Sequence, residues 1–223
     1  MGPPRGRRSE NSVNKWAEKA TNGLIESVLL PGSIFENTEL VLANALYFKG
    51  IWKEEFDESS TKDSKFYLLD GNLIEAPFMT TYADQIIHSF EDFKGLRLPY
   101  KVTDDTKELL MYIFQPHKKD GLWDLVKKVA SDSKFLTKHV HKLSRYVSAR
   151  RFMIPKFKIS FGFEASKVFI EGGLDLPFSK GVDAGLHRTV MEKLLKVSEV
   201  LHRSFFEVNE EGTRAAAYTR MVI

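Results

Sequence analysis

An α+β fold is predicted from three observations. Apolar residues recur at helical spacing in a few segments and form alternating or continuous apolar runs in many more. The extended segments do not alternate with helices at regular βαβ spacing. No Pro-, Gly- or Ser-rich linker and no internal repeat divides the chain. Its 223 residues, 43% hydrophobic and 28% charged, have a globular composition and suffice for one sizeable domain or two small ones.

The opening dozen residues, rich in Pro, Gly and Arg, read as a flexible lead-in. Val13, Trp16, Ala17, Ala20 and Leu24 then share one helical face, and Pro31-Gly32 stops that helix. The run from Thr38 to Phe48 is too apolar for a one-sided strand and is expected in the middle of a buried sheet. Shorter strands follow at Lys65–Leu69 and Leu73–Phe78, around the turn Asp70-Gly71, and at Gln85–Phe90, Leu96–Tyr100 and Glu108–Phe114. Leu122, Leu125, Val126 and Val129 mark a short helix, and Phe135-Leu136 a second one. Tyr146–Phe152 and Phe157–Phe161 read as extended, Phe163–Glu171 as helical, and Val197–Val208 as a strand.

Charge and composition exclude several functions. Lys and Arg total 33 against 30 Asp and Glu, and Arg5, Arg7 and Arg8 account for the excess, so the body is neutral. A neutral body argues against nucleic acid as a partner. With no cysteine, there is no disulfide, thiol nucleophile or cysteine–zinc site. No asparagine lies in an N-x-S/T acceptor, the first eight residues lack the apolar stretch of a signal peptide, and Leu40–Phe48 is too short to span a bilayer. A soluble protein with no membrane partner and no cofactor is expected.

The familiar phosphate, dinucleotide, nucleophile-elbow and HExxH signatures are missing. His139 and His141 would share one face of a strand, as a metal site could use, but no third ligand is near and a partly solvated pair is the preferred reading. Between Asp132 and Glu164 lie only cations: Lys134, Lys138, Lys142, Arg145, Arg150, Arg151, Lys156 and Lys158. They read either as a polyanion patch or as a solvated sheet edge, and the edge is favoured because Arg150 and Arg151 would face opposite ways.

The stretch from Glu210 to Ile223 is the most informative. It reads either as an alanine-rich helix or as a mobile arm that can enter a sheet as an added strand. As a strand, Thr213, Ala215, Ala217, Thr219, Met221 and Ile223 fall on one face. That uncharged face is expected to go down, leaving Arg214, Tyr218 and Arg220 in water. Gly212 would give the hinge its freedom.

Glu210-Glu211-Gly212-Thr213 followed by Ala215-Ala216-Ala217 resembles the reactive-loop hinge of the serpins. Asn44-Ala45-Leu46-Tyr47-Phe48-Lys49-Gly50 with Trp52 and Phe56 resembles their strand 3 of sheet A and its exit. Pro77-Phe78-Met79, Leu98-Pro99-Tyr100, Ile154-Pro155-Lys156-Phe157-Lys158 and Pro177-Phe178-Ser179 also match, in family order. Val13–Ile25 and Phe157–Ser166 are similar to plant serpins in particular, and the resemblance runs from Asn11 to Ile223.

That resemblance implies a multi-sheet fold with surrounding helices and a suicide-substrate inhibitor rather than an enzyme. Its partners would be serine proteases, with cysteine proteases a further class, and loop–sheet self-association is a further expectation. A protease cuts the exposed loop, and the hinge side inserts between strands 3 and 5 of sheet A, distorting the attached protease. Asn44 and His202 match the shutter where that sheet parts; Trp52, Lys156 and Glu210 match the breach where the loop first enters. Arg214, Tyr218 and Arg220 depart from the small or acidic residues usual there and are expected to slow insertion. The chain is further expected to be a partial serpin domain over 13–223, lacking the family's first helices and ending inside the loop before the cleaved bond. On that expectation it would be inactive, or act as a non-inhibitory interaction protein. The extracellular space is the family expectation for its compartment, with the cytosol as the alternative.

Overall fold

The computed structural model describes residues 5–35, 38–102, 108–148, 151–179 and 196–223, with side chains from residue 9 onward. In chain order the elements are α1 (Arg5–Ala20), β1 (Val41–Ile51), β2 (Lys62–Tyr67), β3 (Leu73–Thr81), β4 (Gln85–Ser89), β5 (Phe93–Pro99), β6 (Leu110–Pro116), α2 (Leu122–Ser131), α3 (Phe135–Val140), β7 (Tyr146–Val147), β8 (Phe152–Pro155), β9 (Phe157–Glu164), α4 (Ser166–Glu171), β10 (Glu199–Val208) and β11 (Gly212–Val222). They group into two compact units, 1–49, 158–207 and 214–223 forming the first, and 50–157 with 208–213 the second.

The first unit holds a four-stranded sheet in the order β1-β11-β10-β9. Helix α1 begins at Arg5, so much of the expected lead-in is helical. Glu10 is buried, and its carboxylate accepts a hydrogen bond from Ile34 N at 3.1 Å. Asn14 accepts from the backbone of Val28 and Leu29 and donates to Leu29 O, which folds the segment after the helix back along it.

The helix ends at Ala20, well before Pro31-Gly32, for a local reason. Asn22 and Gly23 take left-handed conformations (φ 50 and 78). Gly23 N then reaches Glu18 O and Asn22 N reaches Lys19 O, closing the last turn. Ala17, Ile25, Val28 and Leu29 cover one face of the sheet, packing on Phe205, Ala216 and Tyr218.

Strand β1 is an edge of this sheet, not its middle. Leu42 and Leu46 are 50% and 64% exposed on the face away from α1, where Ile159 and Phe161 are likewise open. The apolar run expected to be buried on both faces is therefore covered on one, among the described residues.

The second unit contains a sheet ordered β2-β3-β8 and another ordered β6-β5-β4-β7. The β2–β3 hairpin closes at Asp70-Gly71 as expected from sequence, with Gly71 at φ 85 and Asp70 accepting from Asn72 N at 2.9 Å. Phe93, Phe114, Leu125 and Phe135 seat α2 and α3 on the second sheet. The expected extended run 146–152 divides into β7, which pairs with β4, and β8, which pairs with β3.

His139 and His141 lie at the end of helix α3, not on a strand. Their Nδ1 atoms hydrogen-bond Phe135 O and Thr137 O of their own helix.

Candidate functional site

The alanine-rich arm is a strand. Ile223 exchanges hydrogen bonds with Leu40, and Trp52 N donates to Glu211 O, so β11 runs antiparallel to β1. On its other side residues 209–211 join it to β10 as a hairpin, with Asn209 N donating to Gly212 O at 3.0 Å. A strand with neighbours on both sides has backbone close on either flank, while its side chains stand above and below the sheet. Gly212 is the extreme case: a Cβ there would lie 1.9 Å from Gly50 O. The glycine is required by close backbone approach rather than by an unusual dihedral.

Lys156 meets Glu210, and Trp52 lies against the neighbouring Asn209. Trp52 is fully buried, and its Nε1 donates to Asn209 O at 2.9 Å. Phe56 N donates to Glu210 O. The Glu210 carboxylate, 4% exposed, accepts from Thr61 Oγ1 at 2.8 Å and pairs with Lys156 Nζ at 2.9 Å. Burial works to raise its pKa, but the hydrogen bonds from Lys156 and Thr61 outweigh it and hold the carboxyl below its ordinary value. Glu211 stands at the turn beside it.

Tyr100 and Thr213 form a pairing that sequence reasoning did not single out. Tyr100 stacks on Trp52 with centroids 4.7 Å apart, and its hydroxyl donates to Thr213 Oγ1 at 2.9 Å. Burial pushes the Tyr100 pKa up, against the hydrogen bond to Thr213. The signal available in sequence was only the Leu98-Pro99-Tyr100 motif, which names no partner.

Over residues 214–222 the buried face is the reverse of the one expected. Ala216, Tyr218, Arg220 and Val222 are buried, whereas Ala215, Ala217, Thr219 and Met221 are partly open. Tyr218 supplies the apolar surface that Ala17 and Ile25–Leu29 pack against, so its ring belongs beneath α1. Arg220, 3% exposed, follows it down because its guanidinium meets Glu199 at 2.6 Å. Arg214 meets Glu207 at 2.7 Å. Burial pushes the Tyr218 pKa up to about 12, despite the charges of Arg220 and Arg203 nearby.

Asn44 and His202 are not joined. His202 Nδ1 and Thr219 Oγ1 share a hydrogen bond at 2.8 Å, and the Asn44 side chain is on the exposed part of β1. Strand β11 occupies the place between their strands.

The cations of 134–158 do not act as one group. Lys138 pairs with Asp132, Lys156 with Glu210, and Lys158 lies over the Phe205 ring, while Arg150 falls outside the described residues.

Comparison with known proteins gives this geometry a context. The sequence model of the family described as "Serpin (serine protease inhibitor)" matches residues 5–223. The chain is 51% identical over 214 residues to Serpin-ZXA of Oryza sativa subsp. japonica, covering 96% of this chain and 54% of the relative. It is 48% identical over 213 residues to Serpin-ZX of Arabidopsis thaliana, at 95% and 54% coverage. The chain thus spans about half the length of the curated relatives it matches. Among solved structures, an Arabidopsis serpin in its native stressed conformation superposes with TM-score 0.77 at 42% identity, over 94% of this chain and 53% of that one. A cleaved serpin, "Cleaved Serpin 42Da", gives TM-score 0.81 at 31% identity, over 98% and 57%.

Proposed function

The chain belongs to the serpin family, and from that premise we propose that it is the loop-bearing part of a serine protease inhibitor. In this reading β11 is the hinge side of the reactive loop, an arm that leaves and enters the sheet between β1 and β10. The observation carrying the proposal is the seating of Gly212 and Thr213. Gly212 fits against Gly50 only because it lacks a side chain, and Thr213 is engaged by Tyr100. Trp52, Lys156 and Glu210 form the breach that receives this end of the arm. His202 contributes to the shutter by bonding Thr219 when the arm is in; Asn44 would be its partner once β11 has left. Protease capture then uses strand addition as its driving force.

A second reading is favoured by one observation: β11 already lies in the sheet. An arm so seated offers no bait, which suits a non-inhibitory family member that binds partners by other surfaces. The gap left by an expelled arm would equally admit the arm of another copy, giving loop–sheet self-association.

A protein carrying this chain, mixed with trypsin-like and chymotrypsin-like serine proteases, distinguishes them. The inhibitor reading expects an adduct that survives denaturing electrophoresis and is abolished by Gly212→Val. No adduct with either protease class supports the second reading.

A further inference from the structure

Strand β11 carries an alignment problem that its composition creates. A strand's side chains repeat every two residues, so a slip by one exchanges its faces, while a slip by two preserves them. Against a two-residue slip, Ala215 and Ala217 offer no discrimination, since each would find the space of another small residue, whereas Ala216 lies between Arg214 and Tyr218 on the other face. Backbone hydrogen bonds along the strand do not discriminate either, because the antiparallel ladder repeats every two residues. The turn at 209–211 and the fit of Gly212 against Gly50 hold the start of β11, and along the rest of the strand one register is kept, marked by the His202–Thr219 and Arg214–Glu207 contacts.

We propose that Arg214, Tyr218 and Arg220 are positioning residues that fix the register of β11 in the sheet. Tyr218 is the large side chain in the middle of the strand, and it fills the space bounded by Ala17, Ile25, Val28, Leu29 and Phe205. Arg214 and Arg220 lie toward opposite ends of the strand, on the same face, and each meets a carboxylate of β10. A slip by two would carry Arg214 from Glu207 to Phe205 or Asn209. It would also bring Arg220 to the place of Tyr218 or Val222, leaving a buried guanidinium without its acid.

The arrangement is poorly optimised for stability, and that bears on its role. The Tyr218 hydroxyl and the Arg220 Nε and Nη1 are buried without a hydrogen-bond partner. Smaller apolar residues would avoid this cost. Polar groups kept at a cost in stability are the recognised means by which packed helices fix their register, and the same logic applies to an inserting strand. Arg214, Tyr218 and Arg220 are therefore the residues that tell the strand where to stop.

The inference rests on β11 being an arm that enters the sheet, but the two fail separately: cross-linking reports where β11 lies whether or not a protease is trapped. The chain has no cysteine, so introduced pairs are read without background. Because His202 faces Thr219, moving two residues along each strand sets Ser204 opposite Ala217. Ser204→Cys with Ala217→Cys reports the native register; Ser204→Cys with Ala215→Cys or Thr219→Cys reports slips in the two directions.

With the native arm, only the first pair should close a disulfide. With Arg214→Ala, Tyr218→Ala and Arg220→Ala combined, the slipped disulfides should rise about tenfold relative to the native one. Exchanging charges, with Arg214→Glu and Glu207→Arg together with Arg220→Glu and Glu199→Arg, should restore the native pair where the arginine reversals alone do not. Slipped disulfides that stay at the native-arm level overturn the proposal. So does loss of all three disulfides in the alanine variant, which would make these residues necessary for entry rather than for register. Failure of the charge exchange to rescue overturns the role of the arginines.

Discussion

At Glu210 a carboxylate is taken almost wholly out of water and kept charged. Its pKa lies below the ordinary value of 4.5 because Lys156 and Thr61 donate to it. A depressed folded pKa contributes stability that is present above the unfolded value and lost as pH falls through the folded one. Urea unfolding followed on acidification below pH 4.5 should therefore show a declining free energy, and Glu210→Gln should lack that component. Lys156→Met keeps the stem but strands the acid; a loss of about 1–3 kcal/mol is expected at neutral pH, moderated by the exposure of the lysine. At Gly212 the limit is steric. Gly212→Ala places a methyl against Gly50 O, and chemical denaturation should show about 1–3 kcal/mol of overpacking cost, with faster amide exchange at 212–214. The Tyr100–Thr213 hydrogen bond is separable by a double-mutant cycle of Tyr100→Phe and Thr213→Val, with a coupling of about 0.5–1.5 kcal/mol expected.

Strand β11 and helix α1 depend on each other through Tyr218. Tyr218→Ala should cost about 3–5 kcal/mol, as large-to-small changes in a core do, and should speed amide exchange in both elements. Tyr218→Phe removes a buried hydroxyl that has no partner, so its melting temperature should match or exceed that of the native chain. A drop comparable to the alanine variant would show that the hydroxyl is satisfied after all. How much of this was legible in sequence differs by element. The strand character of 197–208, the β2–β3 turn at Asp70-Gly71 and the meeting of Lys156 with Glu210 follow from residue pattern and motif. The buried face of β11 does not follow, because the uncharged-face argument weighs Arg220 alone and not its acid on β10. Glu199 is one strand away in space and 21 residues before it in sequence (220 − 199). The early end of α1 was similarly obscured: Leu24 continues the apolar spacing, but Asn22 and Gly23 turn the backbone left-handed first.

Among the described residues, the face of the first unit's sheet away from α1 carries exposed apolar side chains. Leu42, Leu46, Ile159 and Phe161 are each at least half exposed, and such a patch favours association. Leu46→Lys with Phe161→Lys should lower hydrophobic-dye binding and concentration-dependent sedimentation while leaving the melting temperature within a few degrees. The central place of β11 has a consequence for how the sheet is made. Trp52 and Asn209, which hydrogen-bond at the mouth of the sheet, are 157 residues apart. On a ribosome working at ~5–20 residues per second, that separation is a delay of roughly 8–30 s. Hairpins form within microseconds, and the turn at 209–211 joins β11 directly to β10, so those two strands pair as soon as they emerge, while β1 has waited through the delay. β1 and the β10–β11 hairpin thus meet as partners made at different times, and β1 joins the sheet through β11. The seam between β1 and β11 is therefore the later of the two to form, and pulse-labelled amide exchange on newly released chains should show it protected after the seam between β10 and β11.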